Sequence, residues 1–474
     1  DQPRSRGLGD VYKRQGLGSG AVTLNGGTLT MTDNSDVSSA ATSAWPVVVP
    51  ANASGRLNCD GRCSLTGSLT GSGTFQFYTP YVRTEAKGNW SAFQGLIQVI
   101  TDADGGDLRL WNSAGMPQAE LNLAAKVYAY YQNTMSSAVT VPIGALSGAA
   151  GSVLQGGTST TRSLTWQIGA KNSDTTFAGT IINQSYQTAL TKVGSGKLTL
   201  SGNNTYTGPT NIQSGTLDLS GSLGNSTVTI ASAGTLAGSG TCGGSVDCSG
   251  AITPGSPQGT LTLSQNCLLR ATAMLNMDLG SAPDRIQVNG NLTLDGSIAV
   301  TSTAGFAVGR YPLIQYTGTL TNQGLTVASM PSGFTGSIDV SQAGQVALVV
   351  SLALSPFEQW QLQHFGSITQ AQALASADPD GDGQNNQQEF LAGTLPNNAN
   401  SVLSLTISLL TNDSAQLRWP SVPGRTYELQ ACDTLSDDWI AIASFPAPSS
   451  PVAEIQHIVP RIGTRRYFRI VVGP

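Results

Sequence analysis

The sequence GSGKLTLSGNNTYTGPTNIQSGTLDLSG, residues 194–221, contains the same short segment twice. GKLTLSG begins at Gly196 and GTLDLSG at Gly215, and related segments begin at Gly234 (GTLAGSG) and Gly259 (GTLTLSQ), so the intervals are 19, 19 and 25 residues. In the first two segments leucine alternates with threonine, aspartate or serine, which predicts a strand with one apolar face. Repetition at this interval is typical of a solenoid, in which one repeat forms one structural unit.

A single unit of this size cannot bury its apolar face, but stacking one unit on the next buries that face and pairs the backbone groups of neighbouring coils. Glycine permits the special dihedral angles that the corners between strands need. We therefore predict a mainly β fold built on a parallel β-helix. The alternative is a β-sandwich, against which the near-constant interval argues. The predicted core pairs are Leu198 with Leu200, Leu217 with Leu219, and Val228 with Ile230.

Residues 194–221 resemble the autotransporter-associated β-strand repeat, also called the passenger-associated transport repeat. The matching elements are Leu198, Leu200, Gly202, the run Asn204-Thr205-Tyr206-Thr207-Gly208, Thr210 and Gly215-Thr216-Leu217. Pro209 stands where that family more often has glycine. The resemblance extends over residues 192–264 and is looser over residues 16–29, 88–99 and 175–182. It implies a right-handed parallel β-helix of pectin-lyase-like shape on a secreted or surface-displayed bacterial protein.

The composition agrees with a β-rich fold and excludes some kinds of partner. Only 11% of the 474 residues are charged and 6% are aromatic, whereas 56 are glycine. A net charge of -5 offers no electrostatic footprint for nucleic acid. The apolar run VALVVSLAL, residues 346–354, is shorter than the ~20 residues of a membrane-spanning helix, so we predict no transmembrane segment.

The first fifteen residues, DQPRSRGLGDVYKRQ, are charge-rich and unlike the sequence that follows. We interpret residues 1–15 as a non-native read-end segment. Since the chain does not begin with methionine, we also expect the rest of the same large polypeptide to lie upstream.

Two pairs of cysteines lie close together, Cys59 with Cys63 and Cys242 with Cys248. Their spacing does not decide between disulfides and free thiols. Zinc is disfavoured because neither pair has the CxxC spacing or an accompanying histidine. For Cys242, Cys248 and Cys267 we predict buried, inert thiols.

An enzymatic role requires carboxylates that converge on a groove, since glycoside hydrolysis uses two of them roughly 5–10 Å apart. The repeat region offers few: between residues 192 and 263 the charged residues are Lys192, Lys197, Asp218 and Asp247. We place Asp218 on the outward, solvent-facing side. The segment TDADGGD contains Asp102, Asp104 and Asp107, with Arg109 as the nearest base, and we interpret it as a solvated turn. We predict a non-enzymatic protein, with a polysaccharide lyase or glycoside hydrolase as the alternative.

A second motif, DPDGDGQNNQQEF, occupies residues 378–390. A calcium loop needs oxygen ligands at its first, third and fifth positions, a glycine at the sixth and a carboxylate at the twelfth. Those positions are occupied by Asp378, Asp380, Asp382, Gly383 and Glu389. Three aspartates within five residues repel one another unless a cation offsets them, so we favour bound calcium over an exposed acidic turn without an ion.

This segment resembles EF-hand-like and thrombospondin type-3-like loops. The resemblance implies side-chain oxygens from Asp378, Asp380 and Asp382, and a backbone carbonyl from Gln384. It also implies Asn386 as a ligand, directly or through water, and Glu389 as a bidentate ligand.

The segments around this loop predict short helices and then strands. Ser355-Pro356-Phe357-Glu358 is a capping box with proline at the first helical position, and Gly366 divides the helical segment that follows. NNQQEFLAGT predicts a short helix that contains Glu389.

Alternating segments from residue 401 to residue 474 predict a small antiparallel β-sandwich. The sequences RTYEL and RYFR together with Trp439 resemble small fibronectin-type-III-like domains. Arg461, Arg465, Arg466 and Arg469 form a basic cluster that is either a solvated face or a contact for acidic glycans.

The predicted domains are the read-end segment (1–15), divergent β-helix rungs (16–190), β-helix with the family repeats (191–350), a helical linker with the calcium loop (351–398) and the β-sandwich (399–474). We predict an extracellular or surface-attached bacterial stalk, adhesin-like, with a calcium-stabilised C-terminal module. The expected partners are glycans or cell-surface polysaccharide, and calcium is the expected cofactor. A purely structural cell-envelope spacer is a further alternative.

Overall fold

The computed structural model describes residues 11–12, 20–32, 41–80, 84–102, 104–158, 161–255, 258–411, 413–447, 454–460 and 466–473. The chain divides into two compact units, Asp1–Leu352 and Ala353–Pro474. Of residues 1–15, only the strand Val11–Tyr12 is described, and it pairs in parallel with Thr28–Thr32. The read-end prediction otherwise lies outside the described residues.

The first unit is a parallel β-solenoid of about 11 turns, as the repeats predicted. Its largest sheet has 21 strands: Val11–Tyr12, Thr28–Thr32, Ser54–Asp60, Thr74–Tyr78, Leu96–Ile100, Met116–Leu123, Val139–Gly148, Leu164–Ile168, Thr175–Phe177, Thr188–Lys192, Lys197–Leu200, Thr210–Leu219, Val228–Gly238, Val246–Cys248, Ala251–Pro254, Cys267–Leu269, Met274–Leu279, Leu292–Leu294, Ser297–Ser302, Leu320–Asn322 and Thr326–Ser329.

Three smaller sheets complete the solenoid. A seven-stranded sheet contains Ala41–Ser43, Cys63–Leu65, Thr84–Ala86, Gly106–Leu110, Val127–Tyr131, Val153–Gly157 and Thr180–Ile182. A three-stranded sheet contains Val22–Thr23, Val47–Val49 and Leu69–Gly71. An eight-stranded sheet contains Asn203–Asn204, Ser222–Leu223, Thr241–Cys242, Thr260–Leu263, Arg285–Val288, Gly309–Tyr316, Phe334–Asp339 and Gln345–Leu352.

The strand register explains the repeat in the sequence. Leu198, Leu217 and Leu236 are direct partners on three successive rungs, so the interval of 19 residues is one turn of the solenoid. The six predicted core residues are all at most 1% exposed. The segment that begins at Gly259 departs from this pattern, because its Thr262 pairs with Thr241 in the eight-stranded sheet. Similar sequence therefore does not always mean an equivalent position on the rung.

Asp218 was expected to face solvent, and the structure shows a different environment. Its strand neighbours are Thr199 on one side and Ala237 on the other, and it is only 8% exposed. Lys197 lies 3.9 Å from its carboxylate. The prediction of a solvent-facing Asp218 is wrong, since stacked rungs cover an outward side chain that is as short as aspartate.

Glycines line one corner of the solenoid where successive coils approach closely. A Cβ atom added to Gly202 would lie 1.9 Å from the carbonyl oxygen of Gly179, and one added to Gly221 would lie 2.2 Å from that of Gly202. The same atom on Gly240 would lie 2.1 Å from the oxygen of Gly221. Backbone contact between rungs therefore requires the glycine that ends the segments at Gly202, Gly221 and Gly240.

The last strands of the eight-stranded sheet reverse direction. Gln345–Leu352 pairs in antiparallel fashion with both Gly309–Tyr316 and Phe334–Asp339. The other strand pairs of this unit within the described ranges are parallel. The parallel ladder of this sheet thus ends in a small antiparallel segment, in which Gln345–Leu352 lies between the other two strands.

The cysteines of the chain are free and buried, namely Cys59, Cys63, Cys242, Cys248, Cys267 and Cys432. The prediction of buried thiols at Cys242, Cys248 and Cys267 is confirmed.

The second unit begins with helix α1, Pro356–Phe365. Both halves of the capping box between Ser355 and Glu358 form, and Gly366 ends the helix in the left-handed conformation. Instead of a second α-helix, a 3-10 turn at Ala371–Ala373 follows, and helix α2, Asn386–Ala392, comes after the acidic loop. None of the helices in the described residues is long and apolar enough to cross a membrane.

Two antiparallel sheets of three strands follow in this unit. One contains Thr406–Leu409, Ser414–Trp419 and Ile455–Pro460, and the other contains Thr426–Cys432, Ile440–Phe445 and Tyr467–Gly473. Side chains from both sheets share one apolar core, with Trp419, Tyr427 and Leu429 among its most buried members.

Candidate functional site

The acidic loop brings its three aspartates together. Asp378, Asp380 and Asp382 each offer a carboxylate oxygen, and these atoms lie within 4.8 Å of one another. The backbone curls around the carboxylates: Asp378 accepts hydrogen bonds from the amides of Gly381 (2.9 Å) and Gly383 (3.0 Å). Both glycines have positive φ angles, 75° and 91°, which residues with a side chain rarely adopt. The glycines therefore give the loop the sharp turns that the sequence pattern requires.

Helix α2 adds two fully buried residues to the same cluster. Asn386 and Glu389 are both 0% exposed and lie three residues apart, hence on one face of the helix. The Nδ2 group of Asn386 donates to the carbonyl oxygens of Gln372 and Leu374, each at 2.8 Å. These bonds fix the orientation of the amide and leave its Oδ1 atom for another partner.

Several buried oxygen atoms of this cluster have no hydrogen-bond partner within the described part of the chain. They are Oδ2 of Asp380, Oδ2 of Asp382, Oδ1 of Asn386, and Oε1 and Oε2 of Glu389. An unsatisfied buried oxygen costs about 1–3 kcal/mol, and more when it is charged. Carboxylate and amide oxygens are also the ligands that calcium prefers. The arrangement can therefore hold a hard divalent cation, with a bidentate carboxylate from Glu389.

The charge state of Glu389 reflects this crowding. Burial, and after it the negative charges of Asp380, Asp382 and Asp378, raise the pKa of Glu389 to about 7. A proton on Glu389 and a cation in the loop are thus alternative ways to offset the same repulsion.

Gln384 stands at the seventh position of the loop. Its side-chain Nε2 donates to the carbonyl oxygen of Leu403 at 3.2 Å, so the side chain is already engaged. The backbone carbonyl of Gln384 is the group that the resemblance implies as a ligand.

Contacts that sequence reasoning missed join α2 to the sheets of its own unit. Arg425 donates through Nη2 to the carbonyl oxygen of Phe390 at 2.8 Å, and its guanidinium lies 5.5 Å from the centre of the Phe390 ring. No pattern in the sequence signals this pair, since Phe390 in α2 and Arg425, which precedes the strand Thr426–Cys432, are 35 residues apart.

The aspartates considered for an enzymatic role, Asp102 and Asp107, contact different residues. Asp102 accepts a hydrogen bond from Tyr78 of the large sheet at 3.4 Å. Asp107 lies in a strand of the seven-stranded sheet, is 8% exposed, and accepts from Arg109 (2.9 Å) and from the hydroxyl of Tyr130 (3.1 Å). The solvated-turn interpretation is therefore wrong for Asp107, whose carboxylate is covered and held by these donors.

The basic cluster is only partly described. Arg461 and Arg465 lie outside the described residues. Arg466 lies 3.9 Å from Asp433, and the guanidinium of Arg469 lies 4.5 Å from the centre of the Trp439 ring. The two described arginines thus have partners at the ends of neighbouring strands, which weakens the case for a free basic face.

With the parallel solenoid established, the comparisons with known proteins concern mainly its repeats. The passenger-associated-transport-repeat family matches residues 190–219. This match supports the resemblance predicted from the sequence for residues 190–219.

A stretch of 110 residues is 46% identical to the adhesin BmaC autotransporter of Brucella suis biovar 1 (strain 1330). The alignment covers 21% of this chain and 3% of that protein, so the chain matches only a small part of its relative.

Proposed function

We propose that this chain is a non-enzymatic part of a secreted or surface-attached bacterial protein, in which an adhesin-like β-helical stalk presents a calcium-stabilised C-terminal module. The observation that carries the stalk is the stacked repeat at residues 190–219, together with the similarity to an adhesin autotransporter. A right-handed, pectin-lyase-like winding and a fibronectin-type-III-like C-terminal sandwich belong to the same proposal, as do glycan partners on the outer cell surface.

Five buried, unpaired oxygens support calcium as the cofactor. The ligands in this proposal are the side chains of Asp378, Asp380, Asp382, Asn386 and Glu389, and the backbone carbonyl of Gln384. Calcium binds only the folded arrangement of these groups, so it stabilises the unit by linkage. An extracellular location supplies the millimolar calcium at which modules of this kind are filled.

The adhesin-like role is tested with the full chain immobilised on latex beads. We expect these beads to adhere to epithelial cell layers several-fold more than beads that carry the heat-denatured chain. Equal adherence of the two bead types would contradict the proposal and favour a structural spacer.

The enzymatic alternative is tested by incubating the same chain with pectic and other acidic polysaccharides. We expect no new reducing ends or unsaturated products. Cleavage that is lost in Asp102→Ala or Asp104→Ala would overturn the non-enzymatic role.

The pKa of about 7 at Glu389 predicts that calcium affinity depends on pH. Below pH 7 calcium must displace the proton, so the apparent affinity should rise by up to about tenfold per pH unit and level off above pH 7. Competition titration with a chromophoric chelator between pH 5.5 and 8.5 measures this slope. An affinity that stays flat from pH 5.5 to pH 7 would contradict the role of Glu389.

The raised pKa of Glu389 also makes the stability of the calcium-free protein depend on pH, but in the opposite direction to the calcium affinity. An unfolded glutamate has a pKa of about 4.3, so between about pH 4.3 and pH 7 the folded state holds a proton that the unfolded state has lost. The free energy of unfolding of the chelated protein should therefore fall as pH rises through this window. Above about pH 7, the ionisation of Glu389 causes no further change in the free energy of unfolding.

A further inference from the structure

A groove of about 500 Å³ runs along the outside of the solenoid, across five successive rungs. Each rung contributes one residue from a turn and, two positions later, one outward residue from the following strand. The two columns therefore run side by side, and between them lies a row of residues with buried side chains, among them Val228, Val246 and Cys267. Asn266 and Asn291 belong to the turn column, and Thr293 and Thr321 belong to the strand column.

The amides of the turn column are oriented by the backbone of the next rung. Oδ1 of Asn266 accepts from the amide nitrogen of Asn291 at 2.9 Å, and Oδ1 of Asn291 accepts from the amide nitrogen of Thr319 at 2.9 Å. These bonds fix which side of each amide carries the NH₂ group. Within the described part of the chain, neither NH₂ group donates to a protein acceptor, so two donors on neighbouring rungs remain for a ligand.

The hydroxyl groups of the strand column are likewise available to a ligand. Thr229, Thr293 and Thr321 line the groove, and in the described residues their hydroxyls form no hydrogen bond with protein. Leu268 lies between Asp247 and Thr293 in this column and offers an apolar contact. The groove thus combines hydrogen-bond donors and acceptors that are available to a ligand with one apolar contact, at Leu268.

The spacing and charge of these groups indicate the ligand. Rungs lie about 4.8 Å apart and the two columns roughly 7 Å apart, so five rungs span roughly 19 Å. An extended chain of 1,4-linked pyranose units repeats at a length close to the rung spacing, and it presents hydroxyls at its edges and C–H groups on its ring faces. The charge at Asp247 is offset by Arg270 through two contacts of 2.6 Å, so the lining favours neither a polyanion nor a polycation.

We propose that this groove binds a neutral, linear glycan strand that lies along the axis of the solenoid. The proposal rests on the glycan contact of the proposed function. It adds where the glycan binds, that the glycan is uncharged, and that its strand runs along the axis of the solenoid. It is independent of the calcium loop, which belongs to the other unit.

Calorimetric titration of the full chain with cellohexaose and with chitohexaose tests the groove. We expect at least one of the two to bind, and its trisaccharide to bind more weakly because it spans fewer rungs. The double variant Thr293→Val/Thr321→Val keeps the side-chain shape but removes two hydroxyls, which should weaken binding about tenfold. The matched control is Thr241→Val/Thr262→Val, a pair on adjacent rungs of the eight-stranded sheet, which should bind like the original chain.

The groove proposal is overturned if neither hexasaccharide binds at millimolar concentration, if an oligogalacturonate hexamer binds more tightly than both, or if the two double variants lose affinity equally. Binding that persists in a calcium chelator supports it. Adherent beads without hexasaccharide binding would remove the groove alone, whereas hexasaccharide binding by beads that do not adhere would remove the adhesin-like role alone.

Discussion

Adding calcium to the chelated chain is expected to raise the melting temperature of the C-terminal unit by about 10 °C, when calcium is about 100-fold above its dissociation constant. The reason is the set of five buried oxygens that have no donor among the described residues, two of which belong to Glu389. A ligand that satisfies them in the folded state alone contributes about 2.7 kcal/mol at that concentration. Scanning calorimetry of the full chain measures the shift. Hydrogen exchange of peptides that contain α2 assigns it to this unit.

The variant Glu389→Gln distinguishes a cation site from an acidic turn. It preserves the volume of the side chain but removes a bidentate carboxylate, so the shift with calcium should vanish. In chelator above pH 7 the same variant should melt higher than the original chain, because a neutral amide replaces a carboxylate whose pKa is raised to about 7 by burial and neighbouring charge. Glu428→Gln, in a strand outside the loop, should change neither quantity. Equal calcium shifts in Glu389→Gln and the original chain would disprove the site.

Replacing Gly221 with alanine should destabilise the solenoid by about 3 kcal/mol or more. The added Cβ atom would lie 2.2 Å from the carbonyl oxygen of Gly202, and backbone on the neighbouring rung cannot move without displacing the rungs beyond it. Chemical denaturation followed by circular dichroism measures the loss.

Gly20→Ala is the control for this substitution, because no heavy atom of the described residues lies within 4 Å of its added Cβ atom. Its effect should stay within about 0.5 kcal/mol, as for most surface changes. A similar loss in both variants would contradict contact between rungs as the reason for glycine at position 221.

The solenoid was predictable because its signal is local and repeated. The alternation around Leu198 and Leu217 sets the face of each strand, and the interval of 19 residues sets the rung. The position of Thr262 was not predictable in the same way, because the intervening rung is shortened and only the observed pairing with Thr241 reveals it. Likewise, the cover over Asp218 comes from neighbours on other rungs, which no pattern within one strand describes.

The acidic loop was likewise predictable only in part. Its spacing named Asp378, Asp380, Asp382 and Glu389 as candidate ligands. The three aspartates converge, and Glu389 is buried and close enough for their charges to raise its pKa. The groups that hold Asn386 in place are backbone carbonyls of Gln372 and Leu374, which any residue type could supply. Sequence reasoning finds side chains with distinctive chemistry, but it has no means to find an acceptor that every residue carries.

The reversal of strands at Gln345–Leu352 has a consequence for self-association. Each parallel rung is a template for the next, so an open solenoid end could in principle be extended by the first rung of another copy. Along the eight-stranded sheet, such a copy would meet the edge strand Phe334–Asp339, which is only six residues long and contains Gly336 and the charged Asp339. Short edge strands that carry a charge oppose pairing with another chain, so this end of the sheet disfavours end-to-end fibre growth.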